Sequence, residues 1–337
     1  MSSKKILILG ASYGSLFATK LLMAGHQVTL VCTRPTADLI NREGTLVRFP
    51  VKGRTQPVSL DSRELPGQLV AATPEEIDPS SFDLAVLGMQ EAQYGEDGVR
   101  QLMTRLAQGR VPCLAIMNMP PLPYLRRIPK LRVESLEGSY TDPSVWRAFD
   151  PALVTLASPD PQAFRPADEP KNVLQVGLPT NFKAARFGGE GPTALPVKLK
   201  VHESLFVPLA KWPMLLTGNY RCIREDGMVP IQEAVHGNLA LSRDIYEWVS
   251  DLCCRLGADR DDLVPFDKYA AAAASLKKPS SAARALFGGA RNIERVDSLV
   301  RRIAAQLGLS NEHLQETVAL IDARLELNRA PRELLAA

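Results

Sequence analysis

Four short aliphatic runs recur through the first 120 residues, at 6–9 (ILIL), 28–31 (VTLV), 82–88 (FDLAVLG) and 112–117 (PCLAIM). Runs that are continuously apolar, rather than alternating, suit strands covered on both faces, as in a parallel sheet. A helical pattern follows the first run and another spans 98–107. The alternation of strand and helix predicts an α/β domain built on a doubly wound, Rossmann-type sheet. From 120 to 196 the chain is rich in proline, with β-like pieces at 152–156 and 173–176 and no topology that the pattern dictates.

From about Ser204 the period changes. Ile245, Val249, Leu252 and Leu256 recur at helical spacing, as do Val296, Leu299, Ile303 and Leu307, and again Leu314, Val318, Ile321 and Leu325. Each set makes one apolar stripe, which predicts an all-helical C-terminal domain. The expected organisation is an α/β domain over 1–200 and a helical domain over 201–337, with the cleft between them as the default binding site. The alanine run at 270–274 favours helix, and no internal repeat is present.

The turn after the first run carries candidate chemistry. Gly10 and Gly14 flank Ala11, Ser12 and Tyr13, and a helical pattern begins at once. A glycine turn lets helix N–H groups approach a diphosphate, and a second strand about twenty residues on ends where an adenine ribose is gripped. Gly10, Ser12, Tyr13, Gly14 and Ser15 are therefore the candidate dinucleotide cradle, although the middle glycine of G-x-G-x-x-G is missing. The same residues spell G-x-S-x-G around Ser12, the pattern of a hydrolase nucleophile elbow. That alternative needs strands and an oxyanion loop before the serine and an acid and a histidine after it. Only nine residues precede Gly10, and His202, His236 and His313 lack a recognisable setting. The second run ends in Cys32-Thr33-Arg34 with no carboxylate before Asp38, so Thr33 and Arg34 favour the 2′-phosphate of NADP over the bare ribose of NAD. Ligands of such sheets gather beyond the carboxyl ends of strands, which points to Met89, Gln90, Asn118 and Met119 at the nicotinamide end.

Composition narrows the class. With 45% hydrophobic and 23% charged residues, the disordered and fibrous classes are excluded. A formal charge of +3, with no long basic run, gives no nucleic-acid surface. Five cysteines without a C-x-x-C pair indicate neither a disulfide framework nor a metal site. No signal-peptide pattern and no membrane-length apolar run occur. The expectation is a cytoplasmic enzyme with a small-molecule substrate, no membrane or nucleic-acid partner, and a second copy of the chain as a candidate partner.

Gly14-Ser-Leu-Phe, Ala24-Gly-His-Gln-Val-Thr-Leu-Val, the segment from Arg34 to Gly44, and later Lys278-Pro-Ser-Ser281 and Arg291-Asn-Ile-Glu294 resemble the ketopantoate reductase (2-dehydropantoate 2-reductase) family. The resemblance touches both domains. It implies a dinucleotide-binding domain followed by a helical one, and NADPH-dependent reduction of a 2-oxo acid to a 2-hydroxy acid. It further implies that Asn118 stands beside the nicotinamide ribose, that Ser281 holds the substrate carboxylate and that Glu294 binds substrate. The plainer alternatives are a solvated loop serine and a first-turn glutamate favoured by the helix dipole.

Two lysines that the resemblance implies are replaced. The proton donor expected two residues after Trp212 is Met214, and the cation expected after the strand at 82–88 is Gln90. The asparagine expected four residues beyond Met214 falls on Gly218, with Asn219 beside it, which only a distorted helix brings into register. A carbonyl accepting hydride leaves an alkoxide whose protonation is worth roughly 10²–10⁴ in rate. Lys211 is the candidate replacement, with Asn219 and Glu294 as catalytic partners, although Pro213 suits a first helical position and would leave Lys211 outside the helix. Tyr220, His236 and Lys277 are further candidates. Two readings follow: an NADPH-dependent reductase of a small 2-oxo acid or related carbonyl, or a dinucleotide-binding relative that has lost hydride transfer and serves as a sensor or partner subunit.

Overall fold

In the computed structural model, which describes residues 3–50, 55–157, 163–166, 169–176 and 202–330, the aliphatic runs become the middle of a six-stranded parallel sheet. In chain order the first elements are β1 (Lys5–Leu9), α1 (Gly14–Met23), β2 (Gln27–Val31), α2 (Arg34–Glu43), β3 (Thr45–Phe49), β4 (Val58–Asp61), β5 (Gln68–Ala72), β6 (Leu84–Leu87), α3 (Asp97–Gln108), β7 (Cys113–Ile116), β8 (Val154–Ala157), β9 (Ala163–Phe164) and β10 (Asn172–Val176). The sheet order is β5-β2-β1-β6-β7-β8. Ile6 pairs with Val28 on one side and with Leu84 on the other. The chain thus winds outward from β1 in both directions, the order of a dinucleotide-binding sheet, and the switch point lies between β1 and β6.

A second sheet, β4-β3-β10-β9, is not predicted by the aliphatic runs. Its signal is alternation: Thr45, Val47 and Phe49 are buried while Leu46 and Arg48 are less so. Helix α1 serves both sheets. Ala18 and Leu22 join Ile6, Ile8, Val28 and Leu30 in one core, whereas Leu16 joins Val47, Phe49, Leu60, Leu174 and Val176 in the other. Two apolar faces explain why α1 is so poor in charge.

The chain divides into two compact units, and they interleave. The first comprises the described residues of Met1–Met89, Gln93–Met117 and Val145–Val201; the second those of Gln90–Ala92, Asn118–Ser144 and His202–Ala337. A single cut at 200, itself outside the described residues, does not separate them. The second unit is helical, with α4 (Leu122–Leu125), α5 (Lys211–Met214), α6 (Ile231–His236), α7 (Leu239–Leu256), α8 (Phe266–Ala273), α9 (Ser281–Phe287), α10 (Val296–Gln306) and α11 (Glu312–Arg329). Ile245, Val249, Leu252 and Leu256 are buried along α7, and Leu314, Val318, Ile321 and Leu325 along α11. Leu307 ends its stripe as the C-cap of α10.

Hydrogen bonds hold 118–144 in the second unit. Gln306 accepts from the Arg132 N–H at 2.9 Å and donates to the Arg132 carbonyl at 3.0 Å, and the Tyr124 phenol donates to the Leu205 carbonyl at 2.6 Å. All five cysteines are free thiols. No helix among the described residues is long and apolar enough to cross a membrane.

Candidate functional site

In the first unit the two glycines of the turn have different reasons to be glycine. Gly10 has φ +103°, and a Cβ there would lie 3.0 Å from the Gly88 carbonyl oxygen. Gly14 has an ordinary φ, but its Cβ would lie 2.7 Å from Ile8 Cγ2, so it permits close contact between α1 and β1. No side chain caps α1. Ser12 is exposed and Tyr13 half-buried. Ser15 differs: it is fully buried, donates its hydroxyl to the Ala11 carbonyl and its N–H to the Ser12 carbonyl, and accepts from Asn172 Nδ2 at 3.0 Å. Its polar groups hold the turn's shape.

Thr33 is the N-cap of α2 and donates to Thr36 Oγ1 at 3.1 Å. Arg34 opens the helix, and one of its terminal nitrogens lies 2.7 Å from Glu76 Oε1 and 3.4 Å from Thr73 Oγ1. Glu76 itself accepts the Thr73 N–H at 2.8 Å. Those hydrogen bonds hold the Glu76 carboxyl below its usual range, so it is ionised beside Arg34 at neutral pH.

The second unit contains a small pocket that opens to solvent. Its polar lining is Gln90, Asn118, Asn219, Tyr220, Ser281 and Glu294, with Leu215, Ile293 and two alanines on its apolar side. Four of the residues expected to meet substrate thus converge from four places in the chain. Gln90, expected at the cofactor, lines this pocket too, and neither Lys211 nor Met214 does.

Asn219 reaches the pocket through a distortion of the helix. Leu215–Asn219 forms a π turn, closed by the Tyr220 N–H on the Leu215 carbonyl at 3.0 Å. One extra residue per turn shifts the register past Gly218. Gly218 is packed so closely that a Cβ would collide with the Tyr269 hydroxyl and lie 3.2 Å from Ile231 and Val235. Ser280, which the sequence does not single out, fixes the arrangement. It caps α9, accepts the Ala283 N–H at 3.1 Å and donates to the Asn219 carbonyl at 2.7 Å, with Ser281 next to it on the pocket wall.

Glu294 is the one carboxyl on the lining among the described residues. Burial pushes its carboxyl up to about 7, against hydrogen bonds from the Asn118 side chain and from the Asn118 and Glu91 N–H groups, and with help from the Glu91 charge. Asn118 Oδ1 is buried and has no hydrogen-bond partner, so the pocket still offers an acceptor.

The other expected groups have different work. Lys211 is the first residue of α5 and Pro213 the third, because a turn at Pro208–Ala210 already leads the chain in. This corrects the expectation that Pro213 opens the helix. Met119 is fully buried. The Tyr220 phenol donates to the Glu294 carbonyl, and burial holds it well above its usual range, so it is no ready proton donor. His236 bonds the Ala270 carbonyl at 2.9 Å, His313 pairs with Glu316, and Lys277 donates to Gln232. Neither of those histidines stands ready as the partner a Ser12 nucleophile would need.

A doubly wound dinucleotide-type unit combined with a helical unit defines the structural class. Within it, the fold is that of solved 2-dehydropantoate 2-reductases: a ketopantoate reductase from Ralstonia eutropha JMP134 (TM-score 0.61, 16% identity, 97% of this chain and 100% of that one) and a 2-dehydropantoate 2-reductase from Methylococcus capsulatus (0.63, 12%, 97% and 98%). D-mandelate dehydrogenase, solved with NADH and anilino(oxo)acetate, shares it as well (0.60, 14%, 97% and 100%). No family model and no curated protein matches the sequence.

Proposed function

We propose that the protein is an NADPH-dependent reductase of a small 2-oxo acid or related carbonyl compound. The observation that carries this reading is the convergence of Asn118, Asn219, Ser281 and Glu294 on one pocket. The glycine turn fits a dinucleotide: Gly10 leaves space where a Cβ would crowd Gly88, and the first turn of α1 is uncapped. Gly10, Ser12, Tyr13 and Gly14 would hold the diphosphate, and Thr33 and Arg34 the adenosine end. Reduced nicotinamide supplies a hydride when bound.

The chain's own residues supply the rest. Beyond the carboxyl ends of β6 and β7, the chain delivers Gln90 and Asn118 to the pocket within three residues. Asn118 and Ser281 orient the substrate by hydrogen bonds. Glu294, with a carboxyl near 7, keeps a proton on about half of the molecules at neutral pH and gives it to the carbonyl oxygen as the carbon is reduced. It thereby takes the part first assigned to Lys211. The five free thiols, three of them buried, support a reducing, cytoplasmic setting.

The test is a fluorescence titration with NADPH, followed by a panel of 2-oxo acids monitored at the nicotinamide absorbance. Binding with turnover that Glu294→Gln abolishes is the expected result. Binding without turnover across the panel would establish the sensor reading in its place, and absence of binding would end both.

A further inference from the structure

We propose that Glu76 recognises the adenosine ribose, its carboxylate accepting the free 2′-hydroxyl of NADH where Arg34 would take the 2′-phosphate of NADPH, so that the site admits both coenzymes. The proposal rests on the reading of the first unit as a dinucleotide site. In a doubly wound sheet the ribose is gripped beyond the carboxyl end of the second strand, where an acidic side chain bonds the bare hydroxyl. The end of β2, from Cys32 to Ala37, has no acidic residue. The neighbouring strand supplies one instead. β5 runs parallel to β2 with Ala72 opposite Val31, and the Cys32 N–H donates to the Ala72 carbonyl at 3.0 Å. The two chains therefore leave the sheet side by side, and a turn at Pro74–Glu76 brings the Glu76 carboxylate to 2.7 Å from the Arg34 guanidinium.

Glu76 is held in place at both oxygens. Oε2 accepts the Thr73 N–H at 2.8 Å and the Thr73 hydroxyl at 3.2 Å, and Oε1 meets Arg34. A carboxylate fixed before the ligand arrives loses little freedom when it takes one more donor. It is also within reach, because the Glu76 side chain is 44% exposed. The charges around Arg34 favour the same outcome. Asp38 lies 4.0 Å from the guanidinium, and Glu75 acts on it from the turn that carries Glu76. Arg105, bonded to the Pro74 carbonyl at 2.8 Å, offsets Glu75, which leaves Arg34 facing two carboxylates, Glu76 and Asp38. A 2′-phosphate gains one cation there and meets two like charges, whereas a hydroxyl brings no charge and finds a fixed acceptor.

The experiment is a calorimetric titration of the full-length protein with NADPH, NADH and an NADH analogue lacking the adenosine 2′-hydroxyl. The parent should bind NADH within about tenfold of NADPH, and the deoxy analogue about tenfold more weakly than NADH. In Glu76→Ala, NADH should fall to the level of the deoxy analogue, while the analogue itself is unmoved and NADPH is held as well or better. A merely structural Glu76 would weaken NADH and its analogue alike, and that result overturns the proposal. A parent that binds NADPH but takes NADH more than about a hundredfold less well overturns it too. If the alanine variant does not fold, Glu76→Gln, which keeps an acceptor for Thr73, carries the comparison, and an undiminished contribution of the hydroxyl there overturns it equally. A parent that binds neither coenzyme ends the dinucleotide reading itself, so the two failures are distinguishable.

Discussion

The Tyr220 phenol donates to the backbone carbonyl of Glu294 at 2.6 Å. The phenol oxygen in turn accepts the Val296 N–H at 3.1 Å, so one side chain, leaving the π turn that presents Asn219, also clamps the backbone that presents Glu294. Tyr220→Phe would leave a carbonyl and an N–H unpartnered in a buried place, at a cost of about 1–3 kcal/mol. Urea unfolding should register that loss, and NADPH-dependent turnover should fall with it. A variant of unchanged stability would mean that the clamp contributes nothing.

Coenzyme choice turns on Arg34. The guanidinium that would meet a 2′-phosphate already lies 2.7 Å from Glu76, so a phosphate must share it with a carboxylate. Arg34→Ala should weaken NADPH by about ten- to a hundredfold and NADH far less. Glu76→Gln, which releases the guanidinium but keeps the Thr73 contact, should tighten NADPH relative to NADH. Fluorescence titration of both coenzymes checks the pair, and an unchanged ratio in both variants would remove Arg34 from the site.

Gly14 tests the turn without touching its chemistry. An alanine Cβ would press on Ile8 Cγ2 at 2.7 Å, and that methyl branches close to the backbone of a central strand, where it cannot swing away. Overpacking of this kind costs about 1–3 kcal/mol. Gly14→Ala should lower the thermal midpoint, and the displaced first turn of α1 should bind NADPH less well. Normal stability with normal binding would show that the contact relaxes freely.

The parallel sheet was legible because full burial on both faces demands uninterrupted aliphatic residues, and the helical stripes were legible because one face must be apolar. The second sheet was harder to read. Its strands alternate, and β3 and β10 pair across more than 120 residues of chain, a separation that no local pattern encodes. Asn118, Ser281 and Glu294 could be named from resemblance, and the π turn that brings Asn219 to join them answers a register conflict visible around Gly218. Glu91 and Ser280 had no signal of their own. A buried carboxylate next to an exposed glutamine, or a capping serine beside another serine, gains meaning only from what the fold brings against it.

Glu294 should set the pH dependence of both activity and stability, and both should fall as its carboxyl loses its proton. Its carboxyl stands at about 7 in the folded chain against 4.5 unperturbed. Between those values the folded state holds a proton that the unfolded state has released, so stability declines as pH rises through this window and stays lower above it, by about 3 kcal/mol. Glu294→Gln removes that penalty. Its thermal midpoint should exceed the parent's at pH 8 and approach it at pH 4. Turnover depends on the protonated form, so the parent's rate should fall as pH rises through about 7. The glutamine variant should be stable and nearly inactive throughout. A rate that climbs through the same window would mean that the ionised carboxylate is the working form, and Glu294 would then be a base or a counter-charge instead of the donor.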